Sequence, residues 1–508
     1  MRARYAALCL AFWAGGTAAA EGPLSAIDWL SDSVAAPQQS GPVRGSDITT
    51  NALPQEIAVT PLGQPLADAV GLLPPSATGL PRALWGTATS DEIIARLDAV
   101  PLDLMPSLRR LLTTVLLAEA NPAVDSGPED RLLLARVDRL LAMAALDRAS
   151  ALLDRAGPET PERFRRYFDV ALLRGNETQA CARMRARPEI SPTYPARIFC
   201  LARGGDWQAA AVTLETAEAL GILSPEEDAL LARFLDHDIL DETGNDTLRR
   251  APTPLIFRML EAVGEPVPTG TLPLAYAWAD LRPTRGWKAQ LEAGERLARN
   301  GALPANQLTG IYLRQRPSAS GGVWERAKAM QAVQNALASG DTDALSKELP
   351  AIWATMRNAG LGLVLAEQYG GELADLSLDG AAGDLAFEIG LMSPAYEEIA
   401  LAARLGTPRA RFLAAIARGV PEQATAPDTL SLAVRDGFLA DGPPPALDML
   451  VREGRVGEAI LRAITLFSEG AQGDPDGISD AIALLRALGL EQTARRASLE
   501  LLIEEARG

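Results

Sequence analysis

Residues 146–153, Leu-Asp-Arg-Ala-Ser-Ala-Leu-Leu, begin with a large apolar residue, followed by a small one three positions later and a large one four positions after that. The same order recurs at Trp207-x-x-Ala210-x-x-x-Leu214 and at Gly454-Arg455-Val456-x-x-Ala459-x-x-x-Ala463, with looser copies at Gly340-Asp341-Thr342 (then Leu345 and Leu349) and at Gly175 (then Thr178 and Cys181). A glycine permits a tight turn between two helices, and a small residue lets them approach closely. The pattern therefore predicts pairs of helices joined by short turns.

The first copies are spaced like a helical repeat. Leu146 and Thr178 are 32 positions apart, and Thr178 and Trp207 are 29 apart, which is near the length of a helix–turn–helix unit. On these residues the chain resembles the tetratricopeptide-like and related α-solenoid families, most clearly over residues 130–220. The regular Trp–Leu–Gly–Tyr first helix of that family is absent. The resemblance implies a right-handed superhelix of helical hairpins that binds proteins or peptides on its concave face.

Signals for helix starts are dense after residue 88, and we find no strand-like run there. Two segments fit capping boxes and four fit an N-cap before a proline, namely Thr89-x-x-Glu92, Ser224-Pro225-Glu226-Glu227, Thr160-Pro161, Ser191-Pro192, Ser393-Pro394 and Thr407-Pro408. Apolar residues recur between them at helical spacing, as at Trp207, Ala210, Leu214 and Ala217. The predicted fold class is all-α.

The chain begins with the pattern of a secretory signal peptide. Arg2 and Arg4 precede a short apolar run over residues 6–14, and Ala18-Ala19-Ala20 form a cleavage site before Glu21. An uncleaved membrane anchor is the alternative, but the run is far shorter than the ~20 residues that span a bilayer. We therefore expect residues 1–20 to be removed and the mature chain to be periplasmic or secreted, with no transmembrane segment.

Residues 21–88 form an irregular arm rich in proline and glycine. The prolines in it block long helices and are Pro23, Pro37, Pro42, Pro54, Pro61, Pro65, Pro74, Pro75 and Pro81. The apolar candidates for docking on a partner are Ile27, Trp29, Leu30 and Trp85. The alternative, which we favour, is that these side chains pack on the body of the same chain.

The helical body is predicted to consist of two repeat regions, residues 89–250 and 251–508. The boundary is drawn near 250 because prolines cluster just after it, at Pro252, Pro254, Pro266, Pro268 and Pro273. We expect helix pairing to be irregular there and stacking to continue beyond it.

Two cysteines remain after signal cleavage, Cys181 and Cys200, 19 positions apart on two predicted neighbouring helices. An even pair in an oxidising compartment is a candidate disulfide. The alternative is two buried free thiols between helices.

Composition excludes several classes of protein. A formal charge of −17 disfavours nucleic-acid binding, and a single histidine, His237, disfavours histidine-based metal sites and catalytic triads. The acidic residues around His237 do not follow the ligand order of an EF-hand loop, and we interpret them as a solvated helix end. No metal and no cofactor is predicted.

Two groups of residues are candidate ligand sites. Ser318, Ser320, Gly321 and Gly322 precede a helix and could present amides to an anion or a carboxylate, or they could be a flexible connector. The second group could stack on a sugar or a peptide, or its aromatic rings could fill the core; it consists of Trp278, Arg282, Arg285 and Trp287.

We expect a non-enzymatic, exported scaffold or adaptor that binds an envelope protein or peptide. The alternative is a cell-wall glycan-binding protein related to soluble lytic transglycosylases, which also carry a long α-superhelix. Gly390-Leu391-Met392 is faintly similar to one of their motifs. Such an enzyme needs a general-acid glutamate, so a buried Glu in a deep apolar cleft would favour the alternative.

Overall fold

A computed structural model describes residues 66–236, 251–376 and 378–505. These residues form α-helices and short 3₁₀ segments without any β-strand, and one isolated parallel bridge joins Leu73 to Ala118. The all-α prediction is therefore confirmed. Three predicted features lie outside the described residues: the predicted signal peptide, most of the predicted arm with Ile27, Trp29 and Leu30, and His237.

The helices up to residue 262 are α1 Pro75–Thr78, α2 Ser90–Ala99, α3 Pro106–Leu117, α4 Arg131–Ala142, α5 Leu146–Ala156, α6 Pro161–Arg174, α7 Glu177–Ala186, α8 Tyr194–Arg203, α9 Trp207–Ala219, α10 Pro225–Leu235 and α11 Pro254–Ala262. The 3₁₀ segments in this part of the chain and just after it are Ala67–Ala69, Pro188–Ile190, Thr269–Thr271 and Leu274–Leu281.

The later helices are α12 Trp287–Arg299, α13 Ala305–Tyr312, α14 Val323–Ser339, α15 Thr342–Arg357, α16 Gly362–Asp375, α17 Gly380–Leu391, α18 Tyr396–Ala402, α19 Pro408–Arg418, α20 Thr429–Leu439, α21 Pro445–Arg452, α22 Val456–Gly470, α23 Pro475–Ala487 and α24 Glu491–Glu505. A 3₁₀ segment, Pro421–Gln423, lies between α19 and α20.

All five copies of the recurring pattern lie at the start of the second helix of a pair. The pairs are α4 with α5, α6 with α7, α8 with α9, α14 with α15, and α21 with α22, and the two helices of each pair pack on each other. Gly175 and Gly340 end the first helices of their pairs with φ of +77° and +70°, a conformation that glycine adopts without strain. The small residues Ala149, Ala210 and Ala459 are fully buried, as close helix packing requires.

Most of the predicted helix caps are present. Thr89 and Ser224 form complete capping boxes, and the side chains of Thr160 and Thr407 accept the expected backbone hydrogen bonds. The Ser191-Pro192 and Ser393-Pro394 predictions are wrong. Thr193 caps α8 instead, because Ser191 ends the preceding 3₁₀ segment.

At the second site, Ser393 is part of a turn before α18. Its hydroxyl accepts a hydrogen bond from the amide of Ala395, at 3.2 Å, and Ala395 is the N-cap of that helix. A serine before a proline can thus close a turn without starting a helix.

One face of α6 is covered by the chain that follows residue 250. Residues 164–173 of α6 are all buried, and both α11 and the segment Leu274–Leu281 pack against this helix. Within that segment Tyr276 is fully buried, and Trp278 donates from its indole N–H to the carbonyl of Ala144, at 2.8 Å. Helix α6 is therefore enclosed partly by residues that follow position 250 in the same chain.

The two ends of the described chain pack against each other. Helix α24 packs on α3, and α22 packs on both α2 and α3. Glu500 accepts hydrogen bonds from the amide of Ser107, at 2.8 Å, and from its hydroxyl. Arg110 bridges Glu500, at 3.1 Å, and Glu367 of α16, at 2.6 Å. We call this set of contacts the closure.

The described end of the arm belongs to the closure. Trp85 is only 3% exposed, and its ring lies over Gly457 at the start of α22. The amide of Gly457 donates to the carbonyl of Leu84, at 2.7 Å. Trp85 therefore packs on the body of the chain, which is the alternative that we favoured for the arm.

Candidate functional site

A disulfide joins α7 to α8. It links Cys181 to Cys200, whose Cα atoms are 4.9 Å apart. Both cysteines are buried, at 1% exposure each. Glu177 lies one helical turn before Cys181, Arg203 lies about one turn after Cys200, and the two charged side chains form an ion pair at 3.0 Å. The disulfide therefore holds the pair of helices at the end where Glu177 lies.

A cluster of arginines surrounds two glutamates beside this disulfide. Arg258 of α11 also pairs with Glu177, at 3.0 Å, and it contacts Glu261 one turn further on. Arg282 and Arg285 reach the same oxygen of Glu261, at 2.7 and 2.8 Å. Burial raises the pKa of Glu261, but the hydrogen bond from Arg282 and the three arginine charges lower it further, so the net direction is down.

The structure brings together two of the four predicted aromatic and arginine residues, Arg282 and Arg285, which both pair with Glu261. Arg285 also pairs with Asp280, at 3.3 Å. The indole of Trp278 donates to the carbonyl of Ala144, and that of Trp287 donates to the carbonyl of Ile311, at 2.9 Å, and packs against Trp324 with ring centres 5.1 Å apart. All four side chains therefore have partners within the chain.

The predicted Ser/Gly segment lies at the start of α14. Ser318 and Ser320 are exposed, and Gly321 and Gly322 have positive φ of +82° and +56°. Gly322 is the N-cap, and no side chain there accepts a capping hydrogen bond. The segment is open backbone before a helix, and Ser320 does not cap the helix.

A shallow cavity lies between the arm and the last helices. Its volume is about 320 Å³, and it is lined by Thr78, Gly79, Leu80, Pro81, Val451, Val456, Ala487, Leu488, Gly489 and Leu490. The lining carries no ionisable side chain. The only polar side chain in the lining is Thr78, so no charged group is available there to orient a small ligand.

Every buried glutamate in the described part of the chain is paired with arginine. These residues are Glu177, Glu295, Glu388, Glu458 and Glu500. Glu295 also accepts a hydrogen bond from Tyr312, at 2.8 Å. An arginine partner stabilises the carboxylate, whereas a general acid must carry a proton near neutral pH. Glu500 differs from this pattern, because burial raises its pKa although Arg110, Ser107 and Arg496 lower it. Its oxygens are occupied by hydrogen bonds from Ser107 and Arg110.

The outer face of α9 exposes large apolar side chains. Trp207 is 51% exposed, Val212 is 56% exposed, and Leu220, just after the helix, is 61% exposed. Ala211 lies between the first two and is also exposed. Trp207 and Ala211 are four residues apart and therefore lie along one side of the helix.

Acidic residues continue this face toward the next helix. Glu215 and Glu218 are exposed on α9, while Glu226 is exposed and Asp228 half-buried on α10. Protonated Glu218 can donate a hydrogen bond to the carboxylate of Asp228, and this bond, together with the negative charge of Asp228, raises the pKa of Glu218. We call the set of Trp207, Ala211, Val212, Glu215, Glu218, Leu220, Glu226 and Asp228 the α9–α10 surface.

The sequence interpretation placed Trp207 on the apolar stripe of its helix, and the structure corrects this. Ala210, Leu214 and Ala217 are buried, but Trp207, at the first position of α9, is 51% exposed. A signal for the exposed surface was present in the sequence, because residues 204–232 contain no lysine or arginine.

None of the described helices is long and apolar enough to cross a membrane, and no group of three or more potential metal ligands occurs in the same residues. Comparison of the chain with protein-family models, with curated protein sequences and with solved structures gives no match in any of the three.

Proposed function

We propose that this chain is an exported helical-repeat scaffold that binds a protein or peptide partner in the cell envelope through the α9–α10 surface. The exposed indole of Trp207 carries the proposal. Tryptophan is among the residues that most often anchor protein interfaces, and Trp207 is 51% exposed.

The burial of α6 supports a binding site elsewhere on the hairpins. Helix α6 is buried along residues 164–173, and the chain after residue 250 lies against it. A partner would therefore need a surface other than that of α6. The outer side of α9 offers apolar side chains without requiring any part of the fold to move.

Export is proposed from the N-terminal sequence pattern and from the disulfide. Disulfides persist in the periplasm and outside the cell, and thiols in the cytosol are kept reduced. The bond between Cys181 and Cys200 is buried beside the arginine cluster, so it is a structural element of the fold.

Affinity capture in the native host tests the proposal. The chain is tagged at its C-terminus, the intact envelope is cross-linked, and captured proteins are identified by mass spectrometry for the parent, for Trp207→Glu and for the control Leu401→Glu. Leu401 is 67% exposed on α18 and provides a matched apolar position. We expect a reproducible partner that is lost only with Trp207→Glu.

The same experiment can contradict the proposal. Capture of glycan fragments without any protein would favour the cell-wall alternative, and a protein set that is identical for all three chains would exclude the α9–α10 surface. The captured chain also reports its own N-terminus. We expect it to begin at Glu21, and an intact Met1 would contradict signal cleavage and favour the uncleaved membrane anchor.

A further inference from the structure

The charge of the α9–α10 surface indicates what chemistry its partner must have. Lysine and arginine account for 48 of the 508 residues, but none occurs over residues 204–232, which contain six acidic residues. Two of these acidic residues act within the fold, since Asp206 caps α9 and Glu227 completes the capping box of α10. The other four, Glu215, Glu218, Glu226 and Asp228, form no ion pair with a described residue.

Two of the four acidic side chains are close enough to interact directly. Glu218 and Asp228 come from α9 and α10, which pack on each other, and Asp228 is near enough to raise the pKa of Glu218. Neighbouring carboxylates repel each other, and a cationic group placed between them would relieve the repulsion. The apolar end of the surface lies about two to three turns before Glu218 on the same helix, because Trp207 and Ala211 precede it on α9.

We propose that the α9–α10 surface binds a basic amphipathic helix of a partner protein. Its apolar side chains would pack on Trp207, Ala211 and Val212, and its lysines or arginines would pair with Glu215, Glu218 and Asp228. The inference rests on the proposed function and specifies the partner's chemistry. Electrostatic complementarity of this kind selects partners and accelerates association, and an amphipathic helix supplies both contact types at four-residue steps.

Charge argues against two other occupants. Residues 21–65 of this chain carry five acidic residues, Glu21, Asp28, Asp32, Asp47 and Glu56, against Arg44 alone. A second copy of the chain, docked through the same face, would place the acidic side chains of both copies together. Like-charge contacts oppose both arrangements.

Peptide binding to the purified chain 21–508 tests the inference. The probe is a fluorescein-labelled synthetic helix of about five turns, with leucines on one face and lysines on the other. A matched peptide replaces every lysine by glutamate and keeps the leucines. Fluorescence anisotropy should show binding of the lysine peptide, weakened by salt, and no binding of the glutamate peptide.

Two pairs of variants localise the binding. The double variant Glu215→Lys/Glu218→Lys and the variant Trp207→Glu should each bind the lysine peptide at least about tenfold more weakly, as expected for a residue at the centre of an interface. The controls are Glu398→Lys and Leu401→Glu on α18, whose side chains are also exposed. They should change the affinity less than about twofold. Unchanged circular dichroism and thermal unfolding check that each variant is folded.

Several results would overturn the inference. Equal loss of affinity in the α18 controls would mean that the peptide responds to net charge alone. Much tighter binding after deletion of residues 21–65 would mean that the chain's own N-terminal segment covers the surface. In either case, a protein captured from the envelope in a Trp207-dependent manner would still support the proposed function, with a partner of different chemistry.

Discussion

The hairpins between residues 131 and 219 and the closure between the chain ends are held together by contacts of different range. In the hairpins each helix packs mainly on helices close to it in sequence, as α8 packs on α9. In the closure, Ser107 contacts Glu500 across 393 positions of sequence. The hairpins are therefore specified by short patterns, whereas the closure requires every intervening helix to be in place. Substitutions that remove a single contact in one region can show whether the hairpins and the closure contribute separately to the free energy of unfolding.

The largest effect is expected from Glu500→Ala in the closure. The side chain is 2% exposed, and its loss leaves the amide and the hydroxyl of Ser107 without their acceptor, while the half-exposed Arg110 keeps Glu367. Hydrogen bonds to a charged group contribute about 1.5–3 kcal/mol each, so losing both bonds from Ser107 should cost about 3–6 kcal/mol. We expect a fall of this size in the free energy of unfolding by urea, while the exposed control Glu398→Ala should have little effect.

Hydrogen exchange distinguishes a local from a global response to this substitution. We expect faster exchange in α2, α3, α22 and α24, with α4–α9 remaining protected. Equal acceleration in both regions would show that the closure and the hairpins unfold as a single unit. It would contradict the distinction between locally stabilised hairpins and a closure that depends on long-range contacts.

The second largest effect is expected in the hairpins, from Cys181→Ala/Cys200→Ala. The disulfide closes a loop of 19 positions, which the chain-entropy treatment values at about 3 kcal/mol. Exchange should accelerate in α7 and α8 and leave the closure protected. A reducing agent should destabilise the parent chain by a similar amount and leave the double variant unchanged. If reduction destabilised both chains equally, the disulfide would not be the cause.

Gly457→Ala probes the closure by adding one atom. A Cβ at residue 457 would lie 2.6 Å from the ring of Trp85 and 3.0 Å from the carbonyl oxygen of Leu84. Overpacking of this kind costs about 1–3 kcal/mol. Gly371→Ala in α16 is the matched control, because no atom lies within 4 Å of its added Cβ.

The control should change stability in the opposite direction. Alanine is favoured over glycine inside a helix by about 0.5–1 kcal/mol, so Gly371→Ala should stabilise the chain. If Gly457→Ala also stabilised it, the contact between Trp85 and the start of α22 would not be tightly packed.

The sequence predicted the parts of the fold that depend on local patterns. Leu146 and Val456 mark helix starts, and Thr89 and Ser224 cap helices, because each signal involves residues within about one or two turns. The prediction of a helix cap was wrong where the same residue pair fits two local structures, as at Ser191. In the described residues, a Ser-Pro pair occurs both at a helix start and in a turn, and packing against the rest of the chain selects between them.

The candidate site was less predictable than the fold. Apolar spacing alone placed Trp207 with Ala210 and Leu214, because periodicity does not indicate which residues of an apolar stripe are covered. Nor does spacing reveal that residues 164–173 are covered by the chain after residue 250. Both facts depend on contacts between segments far apart in sequence. The absence of basic residues over 204–232 was the accessible signal for the surface.

The smallest expected effect is a pH dependence in the hairpins, due to Asp169 of α6. Burial raises the pKa of this carboxyl to about 6, although Arg165 and Arg166 lower it and Asp138 raises it slightly. The pKa in the folded protein lies above the ordinary value of 3.8, which applies to the unfolded chain. The folded protein therefore holds this proton more tightly, and the stability that the proton contributes is lost as the pH rises through about 6.

Comparison of the parent with Asp169→Asn between pH 5 and pH 8 isolates this contribution, because the other titrating groups are common to both chains. We expect the stability of the parent relative to the variant to fall by about 1.4 kcal/mol over that range. Urea unfolding at several pH values measures the difference. A difference that stays constant, or that grows in favour of the parent, would contradict the raised pKa. Since the carboxyl is far from the closure, variants such as Gly457→Ala should leave this pH dependence unchanged, which would show that the two regions are energetically independent.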